Sequence, residues 1–257
     1  MKAVFDKDFF AHIRKSAIHE GDKPSRAIII AEKIVSNPVL EYVIAILERI
    51  FSFIINLPIP IYSGLIYFWV TNSRGLPNFF GNYLRALYYR PRLGSMGVNT
   101  MIEQGVFFAH PESVFLADFC FIDKGVKVMS KTCRVGKRVH IAQDVFISGG
   151  GDFQIEDHGG IAPNVCIVTS TEVLKDGARC SGPMTDPAQR RVLRGSVHIE
   201  RDAFVGANVT VLPNVRMRVG SVAGAGVVLA KDTEEWGIYT NAPARKLTVR
   251  QPVDYPV

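Results

Sequence analysis

Apolar or small residues recur at every sixth position from Ile199 through Val205, Val211, Met217, Ala223 and Leu229. The fifth position of the same hexads holds Ala203, Val209, Val215, Ser221 and Val227, all small or β-branched. An earlier block keeps the period through Val135, Ile141 and Ile147, slips by two residues at Gly149, Gly150 and Gly151, and resumes at Ile155, Ile161 and Ile167. A period of six matches neither a helix nor a simple strand. It matches a coil with three flat sides, each one hexad long, whose first-position side chains point inward and stack on their equivalents one coil away. The pattern predicts a mainly β chain, a parallel β-helix solenoid over residues 96–231, with a C-terminal cap and tail over 232–257.

Before residue 95 the pattern changes. The segment Ser25–Arg49 has helical periodicity interrupted at Pro38, and Ile50–Val70 contains no charged residue. About 20 apolar residues suffice to cross a bilayer, but Pro58, Pro60 and Gly64 would break a straight helix here. Three readings stay open: a buried helical hairpin, a hairpin at a membrane surface, and a spanning helix. Tyr67, Trp69 and Arg74 suit an interfacial anchor, as does the mixture of aromatics with Arg85, Arg90 and Arg92 that follows. Residues 1–95 are therefore expected to form a helical, apolar region, with peripheral membrane contact through about 50–92.

Composition adds modest constraints. Hydrophobic residues make up 47% and charged residues 21% of the 257, enough for a packed core. Lys and Arg exceed Asp and Glu by 30 to 24, and this scattered surplus of +6 lacks the dense basic runs of a nucleic-acid binder. It suits a phosphorylated ligand or an anionic membrane face. Cys120, Cys133, Cys166 and Cys180 form no CxxC pair and read as reduced thiols, with no metal site expected. The charged N-terminus shows no signal peptide, so a cytoplasmic location is expected, peripheral to the inner face of the membrane.

The closing coils carry GANVTVLPNV from Gly206, VAGAGVVLAKD from Val222, and EEWGIYTNAPAR ending at Arg245. These elements resemble the GAxxxVLPxV, VxGAGxVxxKD and xxPAR motifs of hexapeptide-repeat acyltransferases. The resemblance covers about 150 residues from Gly97, loosely at first and tightly after Ile155. The ending looks particularly like that of sugar O-acetyltransferases of polysaccharide and O-antigen synthesis. It implies a left-handed coil, acetyl-CoA as co-substrate, a sugar or glycan acceptor, and a homotrimer with sites in the clefts between neighbouring helices. It also implies donor contacts at Gly206, Ala207, Ala223, Gly224, Ala225 and Gly226, with Lys231, Arg245 and Lys246 holding the nucleotide phosphates. Small residues admit a ligand to the backbone and cations neutralise phosphate. Corner geometry explains the glycines equally well.

The register breaks at about 172–196, an excursion that a regular solenoid does not need, so an inserted loop lining a site is expected. Met184, Asp186, Arg190, Arg191 and Arg194 are the acceptor candidates within it. Where the maltose and galactoside acetyltransferase branch has its catalytic histidine after a Thr-Ala-Thr-like run, this chain has Glu172. Attack on a thioester by a hydroxyl needs a positioned base. Either Glu172 serves, or it orients a histidine from elsewhere, with His140, His158 and His198 as candidates.

Three rival functions stand beside O-acetylation. One is N-acetylation of a nucleotide-linked amino sugar, whose amine asks less of the base. Another is a zinc site of the γ-type carbonic anhydrase kind, against which His140 is sixth in its hexad and His158 fourth. The last is a non-catalytic, membrane-attached scaffold, which predicts no coenzyme A binding.

Overall fold

The computed structural model describes residues 2–19, 23–72, 78–174, 178–180, 182, 184–240 and 245–249. From Ser95 the chain winds into a β-solenoid with three parallel sheets. Among the described residues the first sheet runs from Ser95–Met96 to Arg216–Met217. The second runs from Met101–Ile102 to Val222–Ala223, where Gly237–Thr240 joins it in parallel and Arg245–Val249 folds back antiparallel. The third runs from Phe107–Phe108 to Val228–Leu229.

Every first-position residue of the hexads is buried: Ile199, Val205, Val211, Met217, Ala223 and Leu229 are at most 1% exposed. The fifth-position residues are buried beside them. The inward positions of the second side, Ile102, Ile122, Ile141, Ile161, Val205 and Ala223, stack in register at spacings of 20, 19, 20, 44 and 18 residues. Only the last coils keep the strict period, which is why the repeat is faint before Val135.

The extra residues share one place. The steps from first to second side and from second to third side are always six residues. The steps from third to first side are Phe108 to Leu116, Val128 to Val135, Ile147 to Ile155 and Ile167 to Ile199. A single edge of the prism thus takes up every irregularity, the large insertion included.

Among the described residues five helices precede the solenoid: α1 (Lys7–His19), α2 (Arg26–Val35), α3 (Pro38–Ile55), α4 (Pro60–Asn72) and α5 (Asn78–Tyr89). Asn37 caps α3 through its side-chain oxygen, and Pro38 occupies the first turn, where its missing N–H costs nothing. α5 lies on the first coil, with α3 and α4 packed on α5. Arg85 donates to the Ile102 carbonyl at 2.6 Å and pairs with Glu103, which also accepts from Asn82, while Tyr89 donates to the Val106 carbonyl. A solenoid end must be covered because its last apolar layer has no neighbour. These helices do that at the N-terminal end, and one continuous hydrophobic core runs through both parts.

The run Ile50–Val70 is divided between α3 and α4 at Leu57, Pro58 and Ile59. No helix among the described residues is long and apolar enough to cross a membrane. Within the chain Phe53, Leu65, Phe68 and Trp69 are exposed, so the hairpin is not buried against the rest of the same chain. The cysteines are free thiols, and burial pushes those of Cys120 and Cys133 up to about 12.

Candidate active site

The insertion leaves the third side after Val168 and re-enters the first side at Ser196. Its stem is an antiparallel hairpin of Ser170–Glu172 with Val192–Arg194. Thr169 closes the base of this stem: its hydroxyl donates to the Ser148 carbonyl and accepts from Gly151 N–H, while its carbonyl accepts from Gly195 N–H. The glycine slip in the sequence has its cause here. A Cβ on Gly151 would lie 2.0 Å from the Gly195 carbonyl oxygen and 2.4 Å from that of Thr169.

The candidate residues of the insertion divide by role. Asp186 accepts from Ala188 N–H and caps a short 3-10 turn. Arg190 donates to the Gly182 carbonyl, and the Arg191 carbonyl accepts from Val173 N–H. These contacts shape the loop itself. Met184 is almost fully exposed. Arg194 lines one groove with His110, Ser113, Lys131 and Gly150, and another with Arg190, Pro187 and Val192. Glu172 stands exposed at the end of the stem strand.

The three histidines occupy different positions on the coil. His158 occupies a corner between first and second sides with φ +60°, its N–H donating to the Lys137 carbonyl and its ring exposed. His140 projects from the second side, stacked on Phe121 at 5.0 Å, with Asp123 at 3.7 Å. His198 is on the first strand after the insertion, half-buried, with Nε2 2.7 Å from Oε1 of Glu156. Glu156 also accepts from Arg201 N–H. A carboxylate only accepts, so Nε2 is the donor in this pair, and in the neutral imidazole the lone pair is then on Nδ1. Glu156 is thus the carboxylate placed to orient His198.

Beside this pair runs a groove of about 460 Å³, lined in part by Arg134, Gln154, Glu156, Asp157 and Arg201. Outward positions of the first side put Phe115, Arg134, Gln154, His198 and Arg216 in one ladder. Arg134 lies over the Phe115 ring at 4.3 Å. Below His198, the buried Glu200 accepts from Arg216 and from Val219 N–H. Burial alone would raise the Glu200 pKa, but these donors and Arg218 outweigh it and hold the carboxyl below its ordinary value.

Of the donor candidates, Gly206 and Ala207 lie against Ala223–Gly226 of the next coil, with Gly206 N–H donating to the Ala223 carbonyl and Gly226 N–H to the Ala207 carbonyl. Ala223 is fully buried in the core, so its side chain cannot line a ligand groove. Gly206 is buried where a Cβ would meet the next coil's backbone at 2.7 Å, and Gly224 faces the Tyr239 carbonyl oxygen at 3.1 Å. Coil stacking accounts for both. Gly226 has φ +73° with open space around it; Ala225 is exposed and Ala207 half-buried. Lys231 is exposed on the edge that carries the insertion. Lys246 is ion-paired with Glu234. Arg245 begins the last strand, and its side chain lies outside the described residues.

Among the described residues no group of three or more His, Cys, Asp or Glu is placed to hold a metal ion.

No family model matches the chain. It is 26% identical over 162 residues to dTDP-4-amino-4,6-dideoxy-D-glucose acyltransferase of Escherichia coli, covering 61% of this chain and 82% of that protein. It is 31% identical over 103 residues to galactoside O-acetyltransferase of Lactococcus lactis, covering 38% of this chain and 46% of that one. Among solved structures, AntD, an N-acyltransferase from Bacillus cereus in complex with dTDP and 3-hydroxybutyryl-CoA, superposes with a TM-score of 0.53 at 24% identity, over 63% of this chain and 86% of its own. The hexapeptide-repeat acetyltransferase VCA0836 of Vibrio cholerae, in complex with acetyl-CoA, gives 0.51 at 18% identity, over 74% of this chain and 86% of its own. By its repeat, its fold and its relatives in sequence, the chain is similar to the hexapeptide-repeat acyltransferases.

Proposed function

We propose that this protein transfers an acyl group from an acyl-CoA, acetyl-CoA being the donor expected, to a sugar. The observation that carries the reading is the His198–Glu156 pair at 2.7 Å on the strand where the insertion re-enters. Glu156 fixes the tautomer, and Nδ1 takes the proton of the acceptor. The acceptor oxygen or nitrogen attacks the thioester carbonyl carbon, the C–S bond breaks, and the imidazolium returns its proton to the leaving thiolate of coenzyme A. Arg134 and Arg201 supply positive charge for a phosphorylated ligand in the same groove. Lys231, on the edge of the insertion, supplies it for the donor nucleotide.

Two acceptors remain in play, each supported by a different observation. An oriented imidazole favours a hydroxyl, because a hydroxyl needs a base. The relative covered over 82% of its length is named for a dTDP-linked amino sugar, which favours an amine. Incubation with acetyl-CoA and either a dTDP-amino sugar or a neutral sugar, with the released thiol followed, separates them. Thiol release with neither acceptor, in protein that binds the donor, would defeat both readings.

A homotrimer is part of the proposal. Outward positions of the second and third sides hold Phe107, Phe204 and Val228, exposed and apolar as an interface requires. A monomeric mass in light scattering would remove the shared cleft from the account.

A further inference from the structure

Helix α3 carries apolar side chains outward as well as inward, where Ala45 and Ile55 are buried. The residues it turns toward the protein include Glu48, 5% exposed, which accepts from Val4 N–H and the Tyr83 hydroxyl, and Ser52, which donates to the Leu87 carbonyl. Val39, Val43, Leu47, Ile50 and Ile54 are spaced three or four residues apart and all are exposed, with Phe53 beside them at 70%. A helix on a water-facing surface shows the reverse arrangement. The apolar surface continues onto α4 at Leu65, Phe68 and Trp69 and onto α2 at Ile30. Exposed apolar side chains in this number on three helices are more than the singly scattered ones of a water-facing surface and mark a partner.

Charge says which partner. Within residues 1–95 there are 12 Lys and Arg against 7 Asp and Glu, so this third of the chain holds 5 of the 6 net positive charges. The charges exposed on α2, α3 and α4 are Arg26, Lys33 and Arg49, all basic. The acids are withdrawn: Glu32 is paired with Arg14 at 2.8 Å, Glu41 is half-buried and Glu48 is buried.

We propose that α2, α3 and α4 seat the protein on an anionic lipid bilayer, their apolar face in the headgroup and acyl boundary and Arg26, Lys33 and Arg49 among the phosphates. A second copy is a poorer occupant, because a twofold contact puts the same patch on both sides and the exposed charges of this patch are all cations. The helices lie in the surface; none of them is long and apolar enough to cross it. The inference does not rest on the acyl-transfer reading.

Co-sedimentation of the full chain with vesicles tests it, using phosphatidylcholine alone or mixed with phosphatidylglycerol. The mixed vesicles should bind the protein, more weakly at high salt, and phosphatidylcholine alone much less. Each of Lys33→Gln and Arg49→Gln should weaken binding about fivefold, the equivalent of about 1 kcal/mol per cation near the surface. Phe53→Ser with Leu65→Ser should weaken it about tenfold or more without lowering the melting temperature, since both side chains are exposed. Two results would overturn the proposal. One is no sedimentation with the mixed vesicles. The other is self-association that Phe53→Ser abolishes, in protein that ignores vesicles.

Discussion

His198 and Glu156 are 42 positions apart in the chain, yet their side chains are in hydrogen-bond contact because the insertion loops out between their strands. A histidine in an outward hexad position is legible from the sequence. Its partner is not, because the register across the insertion is set by where the stem closes. Glu172 attracts attention by sequence position alone, and the fold leaves it on an exposed stem. His198→Ala is therefore expected to lower turnover by about 10²–10⁴ with acyl-CoA affinity kept. Glu156→Gln should lower turnover with little change in KM, since an amide can no longer hold the tautomer by charge. Glu172→Gln should retain most activity. Steady-state kinetics on the three variants decides, and a reversed order would return Glu172 to the mechanism.

At the scale of the element, the strict hexads after Ile199 made the solenoid readable, while the coils of 19 and 20 residues before it blurred the period. The physical reason is local. Corners between first and second and between second and third sides are fixed by inward stacking, whereas the third corner opens to solvent and tolerates extra residues. The triple glycine was visible as a slip, but its contact with Thr169 and Gly195 depends on the insertion. Gly151→Ala should cost about 1–3 kcal/mol, because its new methyl meets backbone rather than a side chain that can move. Thermal unfolding and protease sensitivity of the insertion would show it, and an unchanged melting curve would refute the close approach.

The Glu200 cluster gives a pH test at the same scale. Its folded pKa lies below the unfolded value, so its contribution to stability is present above the ordinary carboxylate pKa and is lost as pH falls through the folded one. Melting temperatures measured downward from neutral pH should fall in that acidic window, and Glu200→Gln should flatten the fall. An identical slope in the variant would exclude Glu200 as a cause.

Taken whole, the molecule is a solenoid whose open first layer is covered by helices, joined through a few buried polar ties. Helicity before residue 95 was legible from periodicity and prolines. The orientation of α3 was not, since an all-apolar stretch does not say which side faces water; the buried Glu48 does. The Arg85–Glu103 pair is 3% and 11% exposed and holds α5 to the first coil. Arg85→Met should destabilise the protein by about 3–5 kcal/mol by leaving Glu103 without its cation. Denaturant unfolding measures this, and a loss below about 1 kcal/mol would show that apolar packing alone secures the cap.

The central claim is that this fold binds an acyl-CoA and passes its acyl group on. Calorimetric titration of the purified full-length protein with acetyl-CoA, beside free coenzyme A, tests it most directly. Saturable binding that His198→Ala retains is the predicted result. No heat of binding, in protein shown by circular dichroism to be folded and by light scattering to be assembled, would contradict the account and leave the solenoid as a scaffold.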